Sequence, residues 1–170
     1  MNNLTKDTQR VFDILNEESD ISCALMGTSY LSELLASILL GNFIKSSIST
    51  KILDPRNGSI GGFISRTDLA YCLGLIDKSV YQDLVKIANI RNKFAHSHLE
   101  LSFSDDSICK ACNELQSWRI IENFSNDGSY NESENQSKVS PRDIFNLSVV
   151  LICQRLQVGT LSNKKQETTA

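Results

Sequence analysis

The residues best equipped for chemistry in this chain are the hexad Arg91-Asn92-Lys93-Phe94-Ala95-His96. It puts a guanidinium, an amide and an imidazole within six positions. A guanidinium fork holds phosphate oxygens, and an imidazole exchanges a proton near neutral pH. The pattern therefore suits holding a phosphate and moving a proton. A plainer reading competes with it. The hexad closes a run of helical pattern, and cations or His in a last helical turn stabilise the dipole by about 0.3–1 kcal/mol.

Helix geometry limits what one hexad can do. Residues five apart on a helix are rotated by about 140° and separated by about 7.5 Å along the axis. Arg91 and His96 then cannot share a face, whereas Asn92 and His96, four apart, can. Two arrangements reconcile Arg91 with His96. The helix ends near Ala95 and swings His96 round, or two chains pair so that each helix end supplies part of one site.

The elements that must position these residues read as helices nearly throughout. Val11, Phe12 and Leu15 predict a helix over 6–18. Leu25, Met26, Leu31, Leu34, Leu35, Ile38, Leu39 and Phe43 recur at three- and four-residue spacing over 21–46. That segment is apolar around much of its girth and is expected to be the central buried helix. Residues 54–62, rich in Gly with Pro55, read as a turn. A helix over 63–74 follows, with Ser65 and Asp68 at capping-box spacing and Gly74 as its stop. Asp77 caps a helix over 78–96 with Val80, Leu84, Ile87 and Ile90 as its stripe. Ser104 is the expected cap of a helix over 105–119. The polar stretch 123–140 reads as an irregular loop. Ser140-Pro141-Arg142-Asp143 is a strong start for a last helix, to about Val158, and 159–170 reads as a disordered tail. His98 to Phe103 is the only short strand candidate.

Bulk properties narrow the function classes. The 170 residues suit one domain, and 41% hydrophobic with 22% charged residues is ordinary for a soluble globular chain. A net charge of −3 argues against a broad basic face for duplex DNA. The N-terminus has no apolar core of a signal peptide, and the apolar run Leu31 to Ile44 contains Glu33, so no membrane segment is expected. Five cysteines at 23, 72, 109, 112 and 153 are expected to be reduced and mostly buried, in a cytoplasmic protein.

Secondary candidates are weaker. Glu33 inside an apolar run needs a partner if buried, and Arg91 or Arg66 could supply it; otherwise Glu33 faces solvent. Cys109-x-x-Cys112 has no second ligand pair, and His96 with His98 has no acidic or thiol companions at ligand spacing, so no metal is expected. Gly58, Gly61 and Gly62 lack the Lys-Ser/Thr of a phosphate loop, and no cofactor is expected.

Arg91-Asn-x-x-Ala-His after an apolar helix resembles the Arg-x(4–6)-His motif of the HEPN superfamily. That resemblance implies a helical protein with a metal-independent endoribonuclease motif at Arg91, Asn92 and His96. A longer series resembles the mannitol operon repressor family: Gly58-Ser-Ile-Gly-Gly, Leu69-Ala-Tyr-Cys-Leu-Gly-Leu-Ile-Asp, Tyr81-Gln-Asp-Leu, Ile90-Arg-Asn-Lys-Phe-Ala-His and Phe103-Ser-Asp-Asp106. It covers about residues 20–118 and implies an all-helical fold.

The expected architecture is a single all-α domain, a bundle of about six helices, pairing as a homodimer. The leading expected function is RNA cleavage, with His96 as general base on a ribose 2′-hydroxyl and Arg91 stabilising charge on the phosphate. Asn92 orients either partner, Glu33 and Arg66 support the site, and the product is a 2′,3′-cyclic phosphate. The rival is a non-catalytic transcriptional regulator acting through protein partners. No helix-turn-helix or basic recognition helix is legible, which disfavours direct operator binding.

Overall fold

The computed structural model describes residues 6–97, 101–119 and 139–167, with side chains described for 8–97, 101–119 and 139–157. Seven helices and no strand occur among the described residues. They are α1 (Lys6–Glu17), α2 (Asp20–Asn42), α3 (Ser47–Ile52), α4 (Phe63–Cys72), α5 (Lys78–His96), α6 (Asp106–Asn113) and α7 (Pro141–Glu167). The expected all-α bundle is what forms. Of the strand candidate, Leu101, Ser102 and Phe103 are not strand, and His98 to Glu100 lie outside the described residues.

α2 is the central helix, packed against α1, α4, α5 and α7. Cys23, Ala24, Leu31, Leu35 and Leu39 are fully buried, and Ile38 nearly so. Leu34, expected among the least exposed, is only half-buried at the edge of the core. At 23 residues α2 is also long and apolar enough to cross a membrane by length and composition, with mean hydropathy 1.5. The expectation weighed only 31–44 and found it too short. The whole helix is not, and the fold buries part of its apolar girth against four neighbours while Ile21, Met26 and Leu40 stay partly exposed.

Chain punctuation explains most boundaries. Ser19 caps α2, its Oγ accepting from the Ser22 N–H. Asp77 caps α5, accepting from the Ser79 and Val80 N–H groups at 2.8 and 3.0 Å. Gly74, with φ +69°, ends α4: its N–H donates to the Tyr71 carbonyl and the Leu75 N–H reaches back to Ala70. This is the paired closure that a left-handed glycine permits.

Several boundaries differ from expectation, and α2 itself ends at Asn42 rather than at 46. α3 has no apolar stripe long enough to read as a helix; Ser46 starts it by accepting from the Ser49 N–H at 3.2 Å. Gly62, not Ser65, is the N-cap of α4, without a side-chain cap bond. Asp105, not Ser104, caps α6, and its carboxylate turns back to the Ser102 N–H at 2.7 Å. α6 stops at Asn113 because the following turn is held from α5, where the buried Asp83 carboxylate accepts from the Gln116 and Ser117 N–H groups.

The last helix starts as expected. The Asp143 N–H donates to Ser140 Oγ at 3.1 Å, and that hydroxyl donates to Asp143 Oδ2 at 2.7 Å. Ser140→Ala is expected to lower stability by about 1 kcal/mol in denaturant unfolding; an unchanged midpoint would refute the cap. α7 continues to Glu167, so 159–167 is helical rather than a disordered tail. Its closing Lys-Lys-Gln-Glu consists of good helix formers, and Gly159 alone does not stop it. The expected loop 123–140 lies outside the described residues except for Val139 and Ser140.

Candidate functional site

The hexad occupies the last turns of α5. Phe94 points inward, 2% exposed, and stacks in a tilted chain with Phe103 and Phe145 at centroid distances of 5.1 and 5.3 Å. That anchor fixes the roll of α5 and leaves Arg91, Asn92, Lys93 and His96 facing solvent. Arg91 Nη1 donates to Asn92 Oδ1 at 3.0 Å, and Lys93 Nζ donates to the Ser107 carbonyl at 2.9 Å.

α5 is regular through His96. The arrangement in which the helix ends early and swings His96 towards Arg91 is therefore excluded. Within one chain the two side chains leave the helix about 140° apart. Within one chain, then, Arg91 and His96 do not converge on one point.

The structure does bring Arg91 and Asn92 together with Glu33 and Arg66. All four line a groove of about 500 Å³ between α2, the start of α4 and α5. His96 does not line it. A second groove, about 830 Å³, runs between α5 and α6 and carries Lys86, Lys93 and Lys110; Asn92 borders both.

Arg66 has a structural job. It is 2% exposed. Its Nη1 donates to the Ser32 carbonyl and hydroxyl at 3.0 and 2.7 Å, Nη2 to the Leu53 carbonyl at 2.7 Å and Nε to the Ile60 carbonyl at 3.3 Å. One side chain thus ties α2 to the α3–α4 connection. Glu33, 71% exposed, stands 3.7 Å from Arg66. The solvent-facing alternative holds: Glu33 is not a buried carboxylate in need of a partner, and the cation nearest to it is Arg66 rather than Arg91.

Two structural residues escaped the sequence reading. Arg142 pairs with Asp20 at 2.8 Å and donates to the Leu15 carbonyl at 2.9 Å, closing the C-terminal end of α1. A cation in the first turn of a helix opposes the dipole, and that was the available signal of a dedicated partner. Asp83 falls on the apolar stripe of α5, three after Val80 and four before Ile87, which marked it as buried and bonded.

The five cysteines are free thiols; Cys23, Cys112 and Cys153 are buried, Cys72 is exposed and Cys109 half-buried. Burial pushes the Cys23, Cys112 and Cys153 thiols up to about 12, so they pack as small apolar groups. Among the described residues no three His, Cys, Asp or Glu side chains cluster as a metal site requires.

With this geometry in hand, comparison with known proteins places the chain. The family described as mannitol repressor matches residues 8–157, most of the chain. The fold is similar to that in the X-ray structure of the MtlR–HPr complex from Escherichia coli, with TM-score 0.65 and 20% identity, covering 88% of this chain and 97% of that one. It is also similar to YggD, described as a possible transcriptional regulator, from Shigella flexneri 2a strain 2457T. There the TM-score is 0.62 and the identity 18%, over 92% and 99% of the two chains. No curated protein matches the chain in sequence. Matched along nearly its whole helical bundle, the chain belongs to the mannitol repressor family.

Proposed function

We propose that this chain is a cytoplasmic regulator that acts by binding a protein partner, without reading DNA itself. One observation carries this reading: a chain of similar fold, aligned over 97% of its length, has been solved in complex with the protein HPr. The acidic balance of the sequence, net charge −3, fits a protein partner better than a duplex. Titration of the purified chain with HPr from the same host is expected to give saturable one-to-one binding in calorimetry. Absence of heat at concentrations well above 10 μM would refute the reading for this partner.

A second reading is favoured by the exposure of Arg91, Asn92 and His96 together at one helix end. Among the described residues no carboxylate stands within ion-pair distance of Arg91. In a homodimer that sets two such ends side by side, Arg91 of one chain would face His96 of the other. His96 would take the proton of a ribose 2′-hydroxyl as that oxygen attacks phosphorus, the 5′-oxygen leaves, and a 2′,3′-cyclic phosphate remains. RNA cleavage that vanishes in His96→Ala, persists in chelator and occurs only in dimer would establish it. Purified dimer that cuts no RNA while HPr binds would leave the regulator reading alone.

A further inference from the structure

The groove between α2, the start of α4 and α5 has a chemistry of its own. Arg91 is solvent-exposed, and its one hydrogen bond among the described residues goes to a neutral amide. Its charge is therefore uncommitted. Arg66, buried beneath the same groove, adds a second positive charge, and Glu33 at 3.7 Å from it supplies one negative charge. The groove is thus net positive in an acidic protein. The rest of its polar lining is hydroxyl and amide: Thr28, which donates to the Ala24 carbonyl, Ser29, Ser32, which accepts from Arg66, Ser65 and Asn92. Asn92 Oδ1 is taken by Arg91, which turns its NH₂ donors to other use. A volume of about 500 Å³ is of the size that holds a small metabolite, and far too small for a folded domain.

These groups select a ligand by its two ends. Arg91 matches an anionic head, and its fork pairs with two phosphate oxygens at once. Glu33 accepts hydrogen bonds and repels anions, so whatever lies beside it must donate. Serine hydroxyls both donate and accept, as a chain of alcohols requires. We propose that this groove is the binding site of a small polyhydroxylated phosphate monoester, held at its phosphate by Arg91 and at its hydroxyls by Glu33, Asn92 and the serines. Such a ligand, seated beside the C-terminal half of α5, would make a regulator responsive to a phosphorylated sugar or sugar alcohol. Binding at the groove does not depend on whether the protein-partner reading is correct.

The test is calorimetry or ligand-shifted melting on the full chain with three probes: mannitol 1-phosphate, mannitol and inorganic phosphate. The phosphate ester is expected to bind saturably, and the two fragments at least tenfold more weakly. Arg91→Ala is expected to weaken the ester about tenfold or more through loss of a charge-assisted pair of bonds. Arg91 is exposed and bonds only its neighbour among the described residues, so this variant keeps its fold. Glu33→Ala is expected to weaken the ester while leaving inorganic phosphate unchanged or stronger. Lys110→Ala, in the α5–α6 groove, is expected to change nothing. No saturable binding of the ester, an ester no tighter than inorganic phosphate, or equal affinity in wild type and Arg91→Ala would each overturn the proposal. HPr titration of the same samples reports separately on the partner reading.

Discussion

Replacing Arg66 by Ala is expected to destabilise the protein by about 4 kcal/mol or more, the largest loss from any single polar residue described. Its guanidinium serves the carbonyls of Ser32, Leu53 and Ile60, joining α2 to the α3–α4 connection. Each buried carbonyl left without a donor costs about 1–3 kcal/mol. Lysine is not expected to rescue the loss, because a single ammonium cannot reach acceptors spread around a planar fork. Glu33→Gln, by contrast, should move stability by less than about 0.5 kcal/mol, since the carboxylate is mostly in water. Urea unfolding of the three variants separates these contributions. Equal losses in Arg66→Ala and Glu33→Gln would mean that the ion pair, not the carbonyl network, holds the region.

Leu35→Ala or Leu39→Ala is expected to cost about 2–5 kcal/mol, the range for deleting a fully buried leucine. Both side chains are completely excluded from solvent where α2 meets its neighbours. The spread depends on how far α4, α5 and α7 collapse into the space vacated. For a domain of this size that corresponds to a melting temperature lower by on the order of 10 °C. Leu40→Ala is the control: Leu40 sits next in sequence but is 44% exposed, and should cost under about 1 kcal/mol. If Leu39 and Leu40 behaved alike, α2 would not be the central helix.

Where the chain carried a strong periodic signal, the sequence was readable. α5 has an Asp cap, a stripe of Val80, Leu84, Ile87 and Ile90, and a charged end, and its bounds match expectation. α3 was invisible because six residues with two isoleucines carry no period. The cap of α4 was misplaced because Ser65 imitates a capping serine, while the true cap is a glycine with no side chain to betray it. The order of motifs from Gly58 to Asp106 pointed to the right family. The hexad was legible as a polar helix end, and helix geometry alone already said that Arg91 and His96 cannot meet on one unbroken helix, which α5 is through His96. The carbonyl network of Arg66 was not legible, because composition does not reveal which carbonyls an arginine will meet.

The Arg142 clamp has a bearing on how the protein is made. It joins Arg142 to Asp20, 122 positions away, and Asn146 on the same helix donates to Asn16 and accepts from Cys23. Phe145 and Val149 of α7 lie against Gly27 of α2, and Ile152 and Cys153 are buried on the same helix. A ribosome that has synthesised the chain only to Ser140 therefore carries α2 with its apolar flank bare. Contacts so distant in sequence close slowly, and an exposed apolar helix invites association in the meantime. Translation itself thus holds this bundle open until its last helix emerges, and nascent chains stalled before that point should be the ones chaperones retain.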